Sequence, residues 1–223
     1  MDEVIKLENV VKMAEGNRRT INDVSLIIYK KERVTVLGAP GSGKAALMRL
    51  ISGMECPSDG KVYVLGKAVH KMGEATAADL RNRHIGLLCG KPAFLDSLTV
   101  SENVALPLTI RGVPLAQRQK SAKEQLKALG LIYAENARPS KLSALEARMA
   151  SLARALIGRP EILLLYDFAV GLPERDTERI KAQLRMLIES GGYTILEFTA
   201  VKAGLTDAIR TVTLEHGKIQ EEQ

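Results

Sequence analysis

The chain has 223 residues, a formal net charge of +6, 46% hydrophobic residues and 26% charged ones, proportions that exclude a disordered or low-complexity polypeptide. It has no run of about eighteen apolar residues, so no segment reads as a membrane-spanning helix. Two cysteines, Cys56 and Cys89, leave no disulfide framework, the three histidines lack ligand spacing, and scattered basic residues with 4% aromatics read as a solvated surface rather than a nucleic-acid face. The acidic start Met1-Asp2-Glu3, without an apolar segment behind it, points to a cytoplasmic protein.

In chain order, residues 5–11 read as a first strand. Val24, Leu26 and Ile28 recur at period two, the mark of a half-buried second strand. Val34 to Leu37 is a short β-rich run, and after a glycine-rich stretch Leu47, Leu50, Ile51 and Met54 share one helical face. Strand, glycine loop and helix make a βα unit of a parallel sheet. The spacing predicts a helix over 116–129 with Gly130 as its stop. Another is predicted over 144–157, with Ser143 and Glu146 set as a capping box. Ile162 to Tyr166 reads as a buried strand, 174–189 as a helix, Tyr193 to Phe198 as a strand, and 211–219 as a hairpin turning at His216-Gly217.

Gly38-Ala39-Pro40-Gly41-Ser42-Gly43-Lys44 fits the pattern G-x-x-x-x-G-K between a strand and a helix. In that setting the glycines let backbone N–H groups converge on phosphate oxygens, the helix start adds a positive dipole end, and Lys44 supplies a point charge. The plainer reading is a glycine turn. The candidate phosphate-binding set runs from Gly38, Ala39, Pro40, Gly41, Ser42, Gly43 and Lys44 to Ala45 and Ala46. A magnesium-binding loop needs a hydroxyl after the lysine. Ala45 has none.

Further landmarks accompany the loop: Thr20 to Leu26, Pro57 to Val62, Arg81 to Gly86, Leu98 to Leu108, and Ala153-Arg154-Ala155-Leu156. In order and spacing these resemble the ATP-binding subunits of ABC transporters, above all the lipoprotein-release, macrolide-export and cell-division type. The resemblance implies an α/β P-loop fold with a mixed sheet, an N-terminal antiparallel part and an inserted helical subdomain. It implies one domain over 1–223, with a core of 1–90 and 156–223 and the helical subdomain at 91–155. It also implies an integral membrane permease as partner, a homo- or heterodimer of nucleotide-binding subunits, and a place on the cytoplasmic face of the membrane.

Against the family pattern the chain departs repeatedly. Ala14 stands where an aromatic stacks on adenine, and Gly90 where a glutamine senses magnesium. The signature L-S-G-G-[QE] reads Leu142-Ser143-Ala144-Leu145-Glu146, which sets an apolar side chain where a phosphate should approach; helix capping alone explains Ser143 and Glu146. Around Asp167 two alignments are open. In one, Asp167 is the magnesium-site aspartate and Phe168 replaces the catalytic glutamate; in the other, Tyr166 replaces the aspartate and Asp167 stands for the glutamate. Ala200 takes the place of the switch histidine, and Pro173 or Glu174 that of the aspartate in the loop joining the subunits.

The expectation is therefore a subunit with no intact catalytic set, holding ATP or ADP weakly and lacking a complete magnesium site, with Asp167 its one acid there. It would act as a structural or regulatory pseudo-ATPase. A working ATPase subunit is the alternative. A different P-loop enzyme, such as a small kinase, conflicts with the ordered landmarks.

Overall fold

The structure, a computed structural model, describes residues 2–201 and 210–222. The strands and helices run β1 (Glu3–Met13), β2 (Arg19–Tyr29), β3 (Arg33–Leu37), α1 (Lys44–Ile51), β4 (Asp59–Val64), β5 (Lys67–Ala68), α2 (Glu74–His84) and β6 (Ile85–Cys89). There follow α3 (Val100–Ile110), α4 (Leu115–Ala128), α5 (Ala144–Leu156), β7 (Ile162–Tyr166), α6 (Glu174–Gly191), β8 (Thr194–Thr199), β9 (Arg210–Glu215) and β10 (Lys218–Glu222). They form two compact units, Met1–Arg81 with Tyr193–Gln223, and Asn82–Gly192.

The first unit holds an antiparallel sheet in which β1 pairs with β2 and β4, and β4 with β5. Its second sheet is mixed: β3 runs parallel to β8 and β9, while β9 and β10 form an antiparallel hairpin. Ile5, Leu7, Val10, Ile21, Val24 and Ile28 are buried, so the period-two pattern does mark the inward face. The β1–β2 register shifts near Asn9 and Asp23, which take left-handed φ values of 48° and 58° and bond each other side chain to side chain at 3.0 Å. Asparagine and aspartate tolerate that backbone region, which is why the long hairpin can bend there. In α1, Leu47, Leu50 and Ile51 are wholly buried. Met54 does not join them: the helix stops at Ile51, and Met54 lies beyond it, 41% exposed. Gly53, with φ +65°, is the residue that breaks the periodicity.

In the second unit β6 and β7 pair in parallel, with Cys89 opposite Tyr166. Ile162 to Leu165 are all buried, as a strand covered on both faces must be. The expected helices at 116–129 and 144–157 appear as α4 and α5 within a residue, and Gly130 follows α4 with φ +71°. The capping box of Ser143 and Glu146 forms, and an equivalent one of Thr99 and Glu102 opens α3. Periodicity does not reveal α3, because Asn103 sits wholly buried within it and Pro107 interrupts its backbone ladder. Asn103 earns that place by bonding the preceding loop, donating to Leu95 O at 3.0 Å and accepting from Leu95 N at 2.8 Å.

Candidate functional site

The glycine-rich loop lies between β3 and α1 in the first unit. Gly43, at φ +110°, caps α1 without a side-chain bond, and the first helical hydrogen bond runs from Leu47 N to Gly43 O at 2.9 Å. Lys44, Ala45 and Ala46 therefore precede the backbone ladder, where N–H groups point out of a helix start. A Cβ on Gly43 would fall well inside 3.0 Å of the Thr20 carbonyl oxygen, and one on Gly38 would meet Ser42 Oγ and Leu214 O. Only glycine fits at either place. Backbone bonds brace the loop: Gly38 N donates to Thr199 O at 3.0 Å, and Gly217 N to Ser42 O at 2.8 Å.

Lys44 is 4% exposed and folds back on its own loop, its ammonium donating to the carbonyls of Gly38 and, at 3.0 Å, of Ala39. Both carbonyls are neutral acceptors that an anion could replace. Ser42 Oγ is buried with no hydrogen-bond partner among the described residues. Ala45 presents a half-buried methyl group. Ala200 follows directly on Thr199, exposed and without a polar side chain. At the end of β1, Ala14 closes the hairpin neck, its N–H bonding Arg18 O at 2.8 Å.

In the second unit Asp167 is the first residue past β7, at φ +43°, with Oδ1 buried and unpartnered among the described residues. Gly90 meets it. Gly90 N donates to Tyr166 O at 3.0 Å, and a Cβ on Gly90 would overlap the Asp167 carbonyl oxygen. Two departures that look separate in the sequence are therefore one local arrangement. Phe168, 2% exposed, packs into the core. Leu145, 8% exposed, is buried on the inner face of α5, so its apolar bulk points into the unit instead of outward from the helix start; Ala144 is exposed. Pro173 and Glu174 open α6 and are both exposed.

Sequence reasoning passed over Arg148. It is 7% exposed on α5 and donates to Phe168 O at 2.9 Å, Val170 O at 2.7 Å and Ala144 O at 3.0 Å, fixing the segment after Asp167. Burial lowers the pKa of its guanidinium. A cation on the apolar face beside Leu145, Met149 and Leu152 was the available signal. Thr20 and Gly217, which brace the loop through backbone atoms, carried no such signal.

Residues 21–167 match the family model described as ABC transporter. The chain is 34% identical over 221 residues to the methionine import ATP-binding protein MetN of Mesorhizobium japonicum, covering 96% of this chain and 60% of that protein. It spans about three fifths of the length of such MetN relatives. It is 30% identical over 215 residues to the lipoprotein-releasing system ATP-binding protein LolD of Koribacter versatilis, covering 96% of each. Among solved structures it is similar to the ATP-binding cassette MJ0796 as a dimer in a post-hydrolysis state bound to ADP and Pi, with TM-score 0.90, 28% identity, and 98% and 97% of the two chains covered.

Proposed function

The chain belongs to the ABC transporter family as an ATP-binding subunit, and from that premise we propose that it binds ATP or ADP but hydrolyses ATP poorly or not at all. It acts as a structural or regulatory subunit, docked on an integral membrane permease at the cytoplasmic face and paired with a second nucleotide-binding subunit. The similar proteins serve methionine import in one case and lipoprotein release in another, so the transported substrate is left open.

One observation carries the reading: the phosphate loop keeps its backbone and its buried Lys44, while the next residue, Ala45, offers magnesium no oxygen. Phosphates fit such a loop. The residues toward magnesium do not make a set, since Ala45 and Gly90 lack ligand atoms and Asp167 stands as a single acid. Phosphoryl transfer is catalysed by positioning and by charge placed around the reacting phosphate. Each decade of rate lost corresponds to about 1.4 kcal/mol of transition-state stabilisation, so several missing groups leave little turnover.

The test is an ATP titration with and without magnesium on the protein and on Lys44→Ala. Binding should persist without magnesium and weaken about tenfold or more in the variant, the scale of a charge-assisted bond to phosphate. The buried oxygen of Asp167, unpartnered among the described residues, favours a second reading, a working ATPase with an unusual acid. Steady magnesium-dependent phosphate release, lost in both Lys44→Ala and Asp167→Asn, would establish that reading and end the first.

A further inference from the structure

We infer that the exposed face of α4, with the turn that joins it to α3, docks on anionic lipid, its lysines meeting the headgroups while the turn sets Ile110 and Leu115 among them. This goes beyond the permease partnership proposed above, since it concerns lipid that the chain meets on its own. From Asn103 to Lys123 the chain has no acidic residue, and Arg111, Arg118, Lys120 and Lys123 all fall within that stretch. Helix α4 packs inward through Ala122 and Leu126, both wholly buried. Lys120, Lys123 and Lys127 are exposed and recur at i, i+3 and i+7, which places them in one stripe. Lys123 meets Glu135 at 3.5 Å yet keeps 62% of its side chain exposed, and Lys120 and Lys127 have no ion pair among the described residues.

The turn before α4 is fixed. Val113 N donates to Leu108 O and Gly112 N to Thr109 O, each at 3.0 Å, with Gly112 at φ +73°. Ile110, 73% exposed, and Leu115, 56% exposed, stand on either side of it. Apolar side chains on a fixed turn beside a cationic helix suit the boundary between headgroups and acyl chains. The kind of cation separates lipid from an acidic protein segment. Bidentate pairing with carboxylates is the work of arginine, and both arginines here are engaged by their own unit. Arg111 donates to Asn82 Oδ1 at 2.7 Å and to Gly158 O at 3.0 Å, and Arg118 to Val113 O at 3.4 Å. The exposed stripe is lysine, a hydrated point charge that matches a diffuse anionic surface.

The test is sedimentation of the full chain, without permease or nucleotide, with vesicles of phosphatidylcholine alone and of phosphatidylcholine mixed with phosphatidylglycerol. The chain should bind only the anionic vesicles and leave them as salt rises. Lys120→Gln/Lys123→Gln/Lys127→Gln should weaken binding by about fivefold per lysine, and at least about fiftyfold together. Ile110→Ser/Leu115→Ser should weaken it by about tenfold or more and keep the salt dependence. Lys30→Gln/Lys67→Gln/Lys71→Gln removes three exposed charges from the first unit and should bind like the parent. An equal loss in that control would reduce the effect to net charge and overturn the assignment. So would equal binding to both vesicles, or unchanged binding by the α4 variant. Release from the anionic vesicles by poly-glutamate at matched charge would make the face a site for an acidic protein segment, and would overturn it as well.

Discussion

The family's glutamine cannot be put back at position 90 without displacing Asp167. A Cβ on Gly90 would fall well inside 3.0 Å of the Asp167 carbonyl oxygen and 3.1 Å from its carbonyl carbon, where ordinary contact begins at 3.4 Å. The obstacle is backbone, which cannot swing aside as a side chain can. Overpacking of this kind costs about 1–3 kcal/mol. Relief by moving the strand end would also break the 3.0 Å bond from Gly90 N to Tyr166 O, adding about 1 kcal/mol. Gly90→Gln and Gly90→Ala should each lose about 2–4 kcal/mol. At about 2–4 °C per kcal/mol for a chain of this size, Tm should fall by roughly 4–16 °C, read by circular dichroism. Gly73→Ala, whose added Cβ meets nothing within 4 Å, is the control and should stay within about 0.5 kcal/mol of the parent. Gly90→Gln should also gain no phosphate release. Melting of both Gly90 variants at the parent temperature would refute the close approach and the coupling drawn from it.

Three further outcomes are expected. Ser143→Ala removes the hydroxyl that accepts from Glu146 N at 3.3 Å and should cost about 1 kcal/mol in urea unfolding; an unchanged midpoint would mean the cap is idle. Hydrogen bonds from Ser143, then from the Tyr133 hydroxyl, hold Glu146 below the ordinary 4.5, and bonding by Thr99 does the same for Glu102. Their ionised forms therefore stabilise the fold fully above pH 4.5, and that contribution is lost as pH falls through the lowered values. The urea midpoint should drop on acidification, and drop less in Glu102→Gln/Glu146→Gln. Burial pushes the Cys89 thiol above 9.0, with Asp167 adding to the rise and Arg154 opposing it, whereas Cys56 is exposed. Iodoacetamide at about pH 8 should alkylate Cys56 at least about tenfold faster, measured by peptide mass spectrometry; equal rates would refute the burial argument.

Much of this was legible from periodicity and spacing. Val24, Leu26 and Ile28 announced an inward strand face, and Ser143 with Glu146 announced the start of α5, because both signals are local. The loop was legible for the same reason, its glycines and lysine being consecutive. Helix α3 was not, since its buried Asn103 and its Pro107 make sense only through contacts with the segment before it. Neither was the meeting of Gly90 with Asp167, which joins residues 77 positions apart (167 less 90) across the β6–β7 pair. Arg148 stands out only through its three carbonyl acceptors, which lie on its own helix and on the segment after Asp167.

The departures from the family pattern have a physical character of their own. Leu145, 8% exposed, stands where the pattern asks for a glycine, and Phe168, 2% exposed, stands at the catalytic glutamate in one of the two alignments; each buries an apolar side chain worth about 1.5–3 kcal/mol. Ala45 and Ala144 put the best helix former into the first turns of α1 and α5. Gly90 makes room for a backbone turn at Asp167. Here Leu145, Phe168, Ala45, Ala144 and Gly90 suit the local structure, while Gly43 and Lys44, which shape the phosphate loop, remain. On the proposed function, that is the pattern expected of a chain held to its fold and to a bound anion, and released from the demands of the transition state.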